Sequence, residues 1–198
     1  MLNFAIVAGS SRNNSQSGKV ARFLRQRLIR LGLTEESQCS VIDLGFAPLP
    51  LWPAEDDGPW GLYAAQLRAA DAVVIIAPEW NGMACPAVKN LFLYAGKAEL
   101  AHKPGLLVGV SSGIGGAYPI SELRASGTKN NRLCHIPEHL IVRHVEQRLN
   151  TPEPASEEDA RLRERIDYCL DILARYGAAL RPVRAAIDMN QPAFANGM

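Results

Sequence analysis

The sequence predicts an α/β protein: a five-stranded parallel sheet between two layers of helices, a three-layer sandwich. Two observations predict it. Short apolar runs recur at 2–8, 39–42, 72–77, 106–110 and 140–142. Strands that are apolar on both faces belong inside a sheet covered on both sides. Between these runs stand segments whose apolar residues return at helical spacing, so strand and helix alternate along the chain. A chain of 198 residues, 47% apolar and 21% charged, can build one core and is short for two. The expected organisation is therefore a single domain over 1–182, followed by a loose C-terminal tail at 183–198.

The first strand, Leu2 to Ala8, ends at Gly9 and gives way to SSRNNSQS. A helix pattern starts near Ser17, with Val20, Phe23, Leu24, Leu28 and Leu31 on one side, and stops at Gly32. A strand, a short polar turn and a helix N-terminus aim unpaired N–H groups at one point, which suits a phosphate. Ser10, Ser15 and Ser17 add hydroxyls, and Arg12 adds a charged fork. The spacing is not that of a Walker loop, because eight residues separate Gly9 from Gly18-Lys19 and Val20 stands where Ser or Thr is needed. Nor is it a dinucleotide fingerprint, since only Gly9 falls in place. A monophosphate fits best. The competing reading is a Ser/Asn-rich surface turn that only caps the helix.

The second strand, 39–42, closes at Asp43-Leu44. Residues 45–60 carry four prolines and read as a surface loop with unusually apolar members, Leu49, Leu51, Trp52 and Trp60. A helix over 62–69 leads to the most apolar strand, 72–77, which is expected to break at Pro78 into the tight loop PEWNGMACP. A helix over 87–98, a strand over 106–110, the glycine-rich turn SSGIGGAYP and a helix over 120–125 follow. Residues 126–139 read as irregular, 140–142 as the fifth strand and 157–180 as a long helix.

Five strands in this alternation imply right-handed crossovers and the flavodoxin-like order 2-1-3-4-5. That order sets the carboxyl ends of strands one, three and four side by side, where ligands bind in open sheets. The three unusual turns, at 9–17, 78–85 and 111–117, are those three ends, and they should share one crevice.

Charge and cysteines limit the function classes. A formal net charge of +1 gives no bulk attraction for nucleic acid and no acidic face for an electron-transfer partner. No apolar run is long enough for a membrane span, and the N-terminus lacks the pattern of a secretory leader. Cys39, Cys85, Cys134 and Cys169 have no ligand-like spacing, so reduced thiols and a cytoplasmic location are expected, with no metal site.

One crevice offering a phosphate cradle at one end and small residues with a flat aromatic at the other suits flavin mononucleotide (FMN). Gly-Ser-x-Arg-x-x-Ser at Gly9–Ser15 and Pro-Glu-Trp-Asn at 78–81 resemble the signatures of the NADPH-dependent FMN reductase family. Lys89-Asn90 and Ser-Ser-Gly-x-Gly-Gly at 111–116 are similar too, and the likeness covers roughly residues 1–145. The resemblance implies that Ser10, Arg12, Ser15, Gln16 and Ser17 hold the FMN phosphate. It implies that Pro78, Glu79, Trp80, Asn81 and Gly82 line the ring, mostly through backbone, and that Ser112 and Gly113 approach its other edge. It also implies NADPH or NADH as co-substrate, a small-molecule electron acceptor and a homodimer or homotetramer. Trp80 stands where the family usually has Tyr, and Cys85-Pro86 where it commonly has Pro-Gly.

Two other classes remain open to the sequence. One is a non-catalytic FMN-binding electron carrier or sensor. The other is a serine hydrolase, because Gly109-Val-Ser-Ser-Gly113 satisfies G-x-S-x-G after a strand. No side chain is assigned as an acid or base. Glu79 is expected to cap a helix or face solvent.

Overall fold

The computed structural model describes residues 1–196. Six strands form one sheet system: β1 Phe4–Ala8, β2 Cys39–Asp43, β3 Ala72–Trp80, β4 Met83–Ala84, β5 Pro104–Val110 and β6 Cys134–Val142. The main path runs β2-β1-β3-β5-β6, all parallel, with β4 added antiparallel to the end of β3. With the two-residue β4 set aside, this is the expected 2-1-3-4-5 order.

The helices are α1 Gln16–Arg30, α2 Trp60–Ala69, α3 Pro86–Tyr94, α4 Lys97–Leu100, α5 Ala117–Ala125 and α6 Glu157–Ala186. Alternation along each strand divides the core in two. Phe4, Ile6 and Ala8 of β1 with Ala72, Val74 and Ile76 of β3 meet α1 and α6 on one face. Ala5, Val7, Val73, Ile75 and Ala77 meet α2, α3 and α5 on the other. All eleven of these strand residues are at most 1% exposed, as a doubly covered sheet requires.

Several elements differ from expectation. β3 does not break at Pro78 but continues to Trp80, with Pro78 opposite Val110. β1 has already left the sheet at Ala8, opposite Ile76, so Pro78 has a ladder on the β5 side alone and its missing N–H does little harm. β6 starts at Cys134, inside the stretch read as irregular. It is an edge strand whose register slips between Gly105 and Leu107, and Pro137 lies in that irregularity. The helix read over 87–98 is two helices, α3 and α4, because Ala95 and Gly96 turn extended between them.

α6 continues past 180 to Ala186 and carries Pro182 inside it. Its end is tied down by Arg181 and Arg184, both paired to Asp71, whose carboxylate also accepts from Asn3 N at 2.9 Å. The first residues of the segment read as tail are thus helical. Residues 197–198 of that segment lie outside the described residues. Among the described residues no helix is long and apolar enough to cross a membrane.

Candidate functional site

The turn after β1 starts from a close approach. A Cβ at Gly9 would lie 2.1 Å from Val88 Cγ2 and 2.4 Å from Ile76 O, so only glycine lets the chain leave the sheet against α3. Ser15 is the N-cap of α1, with its hydroxyl accepting from Gly18 N at 3.0 Å. Ser10 Oγ accepts from Arg12 N at 3.1 Å and shapes the turn. Capping therefore accounts for Ser15. It does not account for Ser17, which is 1% exposed and whose Oγ has no hydrogen-bond partner; Gln16 Oε1 is buried and unpartnered as well. The N–H groups of Gln16 and Ser17, first in the helix, have no intrahelical acceptor, and the first turn carries no acidic residue. Buried polar atoms are normally satisfied, so an orphaned hydroxyl at a helix N-terminus fits a bound anion.

The second wall is the end of β3. Trp80 pairs with Met83 across Asn81 (φ 51°) and Gly82 (φ 72°), a two-residue hairpin turn with both central residues left-handed. The hairpin is braced from below: Ala84 N donates to Glu122 Oε2 at 2.7 Å, and Glu122 Oε1 meets Lys89 Nζ at 2.6 Å. That ammonium holds the Glu122 carboxyl below its ordinary pKa. Asn90 anchors the proline loop, accepting from Trp52 N at 2.9 Å and donating to Pro50 O at 2.7 Å. The Lys89-Asn90 pair is thus a brace behind the crevice.

The third wall is the turn after β5. Glu79 Oε2 accepts from Gly116 N at 2.6 Å, and Gly116 is the N-cap of α5 at φ 101°. Of the two roles expected for Glu79, capping is the one it plays. Ser112 Oγ donates to Glu146 Oε1 at 2.7 Å. Ser111, the central serine of G-x-S-x-G, accepts from Gly113 N at 3.2 Å, and α5 begins only at Ala117. A nucleophile elbow runs straight from strand to helix with a histidine on the serine; among the described residues no histidine side chain bonds Ser111, and the hydrolase reading falls.

The three turns enclose a cavity of about 270 Å³. Of the residues expected there, Ser10, Arg12, Ser15, Gln16, Ser17, Pro78, Glu79, Trp80 and Ser112 line it. Asn81, Gly82 and Gly113 stand outside the lining. The Arg12 guanidinium lies over the Trp80 ring, 5.0 Å from its centroid, and joins the first wall to the second. Ser111, singled out only in the hydrolase reading, also lines the cavity, as do four residues not singled out by the sequence, Asn13, Asn14, Val145 and Glu146. The last two follow β6, where no motif marks them. Behind them Lys19 Nζ donates to Val145 O at 2.6 Å, Arg148 O at 2.9 Å and Asn150 Oδ1 at 2.8 Å, fixing this segment to α1.

The chain is similar to known proteins. The chain is 26% identical over 190 residues to a 2-hydroxy-1,4-benzoquinone reductase from Burkholderia sp, covering 92% of this chain and 98% of that one. It is 29% identical over 116 residues to an NADPH azoreductase from Bacillus sp., covering 56% and 65%. It is 31% identical over 122 residues to a quinone reductase from Pseudomonas putida, covering 58% and 62%, so these two matches span less than two thirds of their relatives. Among solved structures, the flavoenzyme NAD(P)H:(acceptor) oxidoreductase FerB from Paracoccus denitrificans superposes with a TM-score of 0.67 at 21% identity. That superposition covers 90% of this chain and 98% of the other, a likeness of fold. The model of the NADPH-dependent FMN reductase family matches residues 2–147, the stretch that supplies all three turns, and the chain belongs to that family.

Proposed function

We propose that the protein is an NAD(P)H-dependent FMN oxidoreductase that reduces a quinone, a free flavin or a similar small acceptor. One observation carries the reading within the family. The buried, unpartnered Ser17 hydroxyl at the N-terminus of α1 sits in the same cavity as Arg12 and the Trp80 hairpin. This is a seat for a phosphate at one end and for a flat ring at the other.

FMN, when bound, supplies the redox chemistry by accepting hydride from nicotinamide and releasing electrons to the acceptor. The residues of the chain bind and orient. Ser10, Ser15, Gln16, Ser17 and Arg12 hold the phosphate through hydroxyls, first-turn N–H groups and a guanidinium. Pro78, Glu79, Trp80 and Ser112 face the ring edges from the cavity lining, with Asn81, Gly82 and Gly113 beside them on the same two turns, and backbone N–H donors there stabilise developing negative charge. Hydride transfer to the ring requires no acid or base of a side chain, and both cavity carboxylates are engaged, Glu79 by Gly116 N and Glu146 by the Ser112 hydroxyl.

The names of the benzoquinone and quinone reductases favour a quinone among the acceptors. Assembly into a homodimer or homotetramer is part of the reading. Phe46 is 80% and Leu51 81% exposed on the loop beside the crevice, an apolar rim suited to burial between copies. Light scattering on the FMN-loaded protein should show two or four chains. Steady-state assay of FMN-loaded protein with NADPH and NADH against a panel of quinones, azo dyes and free flavins tests the function. Turnover with at least one acceptor is expected, and none with any acceptor would refute it.

A further inference from the structure

The cavity lining holds one carboxylate, that of Glu146, that the phosphate-and-ring reading leaves unused. The Ser10, Ser15 and Ser17 hydroxyls and the Arg12 guanidinium can donate into the cavity, and Gln16 Oε1 is an unpartnered neutral acceptor. Its two carboxylates differ. Glu79 is committed to Gly116 N at 2.6 Å. Glu146 touches one donor in the cavity, the Ser112 hydroxyl at 2.7 Å, and has lone pairs to spare, since an ionised carboxylate offers about four acceptor positions. It is also held as an anion. The Ser112 hydroxyl bond, its own backbone N–H and the neighbouring Lys19 ammonium keep its pKa below the ordinary carboxylate value.

A permanent anion would repel a phosphate and the carbonyl oxygens of a flavin, whose ring offers it a single donor, the N3–H between those carbonyls. It can accept from neutral hydroxyls. FMN carries such hydroxyls on the ribityl chain between its phosphate and its ring. We propose that Glu146, with Ser112, is the acceptor site for the ribityl hydroxyls of FMN. Glu146 then fixes polarity along the cavity, phosphate on the α1 side and polyol beside the segment that follows β6. Lys19 maintains the site by pinning Val145, Arg148 and Asn150 through three hydrogen bonds.

This inference rests on the proposed FMN site, and a ligand series separates the two. Apoprotein is titrated with FMN, with riboflavin (polyol, no phosphate) and with lumiflavin (ring alone), following quenching of flavin fluorescence. Glu146→Ala should weaken FMN and riboflavin by the same factor, about tenfold, near the low end for a hydrogen bond to a charged acceptor, and leave lumiflavin unchanged. Arg12→Ala in the same series should weaken FMN alone. A loss shared by lumiflavin would mean that Glu146 acts through Ser112 on the ring edge, and would overturn the assignment. So would unchanged affinities, or tighter FMN with riboflavin unchanged, which would place the carboxylate against the phosphate. Failure of the wild-type protein to bind FMN would overturn the functional reading itself.

Discussion

Arg12 and Trp80 meet across the crevice, the guanidinium carbon 5.0 Å from the centroid of the indole ring system. A residue of the proposed phosphate turn is thereby fixed by a residue of the ring-facing hairpin. Such a contact contributes about 0.5–1 kcal/mol when exposed, and it holds an exposed arginine over the ring. Arg12→Ala should weaken FMN by roughly 1.5–3 kcal/mol, the range for a charge-assisted hydrogen bond, and leave riboflavin affinity unchanged. Calorimetric titration with both flavins checks it. Equal affinity of the wild-type protein for FMN and riboflavin would show that no phosphate binds at Ser10–Ser17.

Glu79 is predicted to be structural. Its carboxylate caps α5 through Gly116 N, a bond that a glutamine oxygen can replace. Glu79→Gln should change the maximal rate by less than about tenfold, below the hundredfold or more lost with a general acid or base. Glu79→Ala, which leaves the amide without an acceptor, should lower the unfolding free energy by roughly 1–2 kcal/mol in denaturant titration. A thousandfold fall in rate for Glu79→Gln, with FMN retained, would make Glu79 catalytic.

Cys85 sits at the N-cap of α3, where a thiolate could be favoured, yet it is fully buried and its thiol donates to Gly9 O at 2.8 Å. Burial pushes its pKa up to about 11. The thiol should resist alkylation in the native protein at neutral pH, and Cys85→Ser, which keeps a donor for Gly9 O, should keep most of the turnover. A loss beyond tenfold with FMN still bound would contradict this.

Lys103 supplies a pH signature. Its ammonium is 5% exposed and donates to Leu67 O at 2.5 Å and Arg68 O at 2.9 Å. Burial lowers its pKa to about 8 from the ordinary 10.5. Between those values the unfolded chain binds more protons at this residue than the folded one, so its contribution to stability rises with pH. The cost of its charged burial is full below about pH 8 and gone above about pH 10.5. The stability difference between wild type and Lys103→Met, measured by urea unfolding, should shift in favour of wild type across that window. A difference that stays flat would show that Lys103 titrates normally.

The sheet was legible in the sequence because its strands are apolar on both faces, and the strand order followed from their number and alternation. What escaped was set by edges and by distant partners. Residues 134–139 were missed because His135, Pro137 and Glu138 interrupt the apolar pattern, which an edge strand with slipped register tolerates. The β3–β4 hairpin carried a visible signal in Asn81-Gly82, the dipeptide most suited to a left-handed two-residue turn, but Pro78 suggested an earlier break. The C-terminal end of α6 depends on Arg181 and Arg184 reaching Asp71 from the far end of the chain, and Glu146 enters the cavity only because the sheet brings the segment after β6 beside Ser112. No local pattern encodes either.

FMN held in this crevice should be reduced by a nicotinamide. Anaerobic addition of NADPH or NADH to the FMN-loaded protein checks this. The visible flavin absorbance should bleach within the mixing time of a turnover assay and return when a quinone is added. A spectrum that stays oxidised with both nicotinamides, in protein that retains its FMN, would contradict the account and leave a flavin carrier in its place.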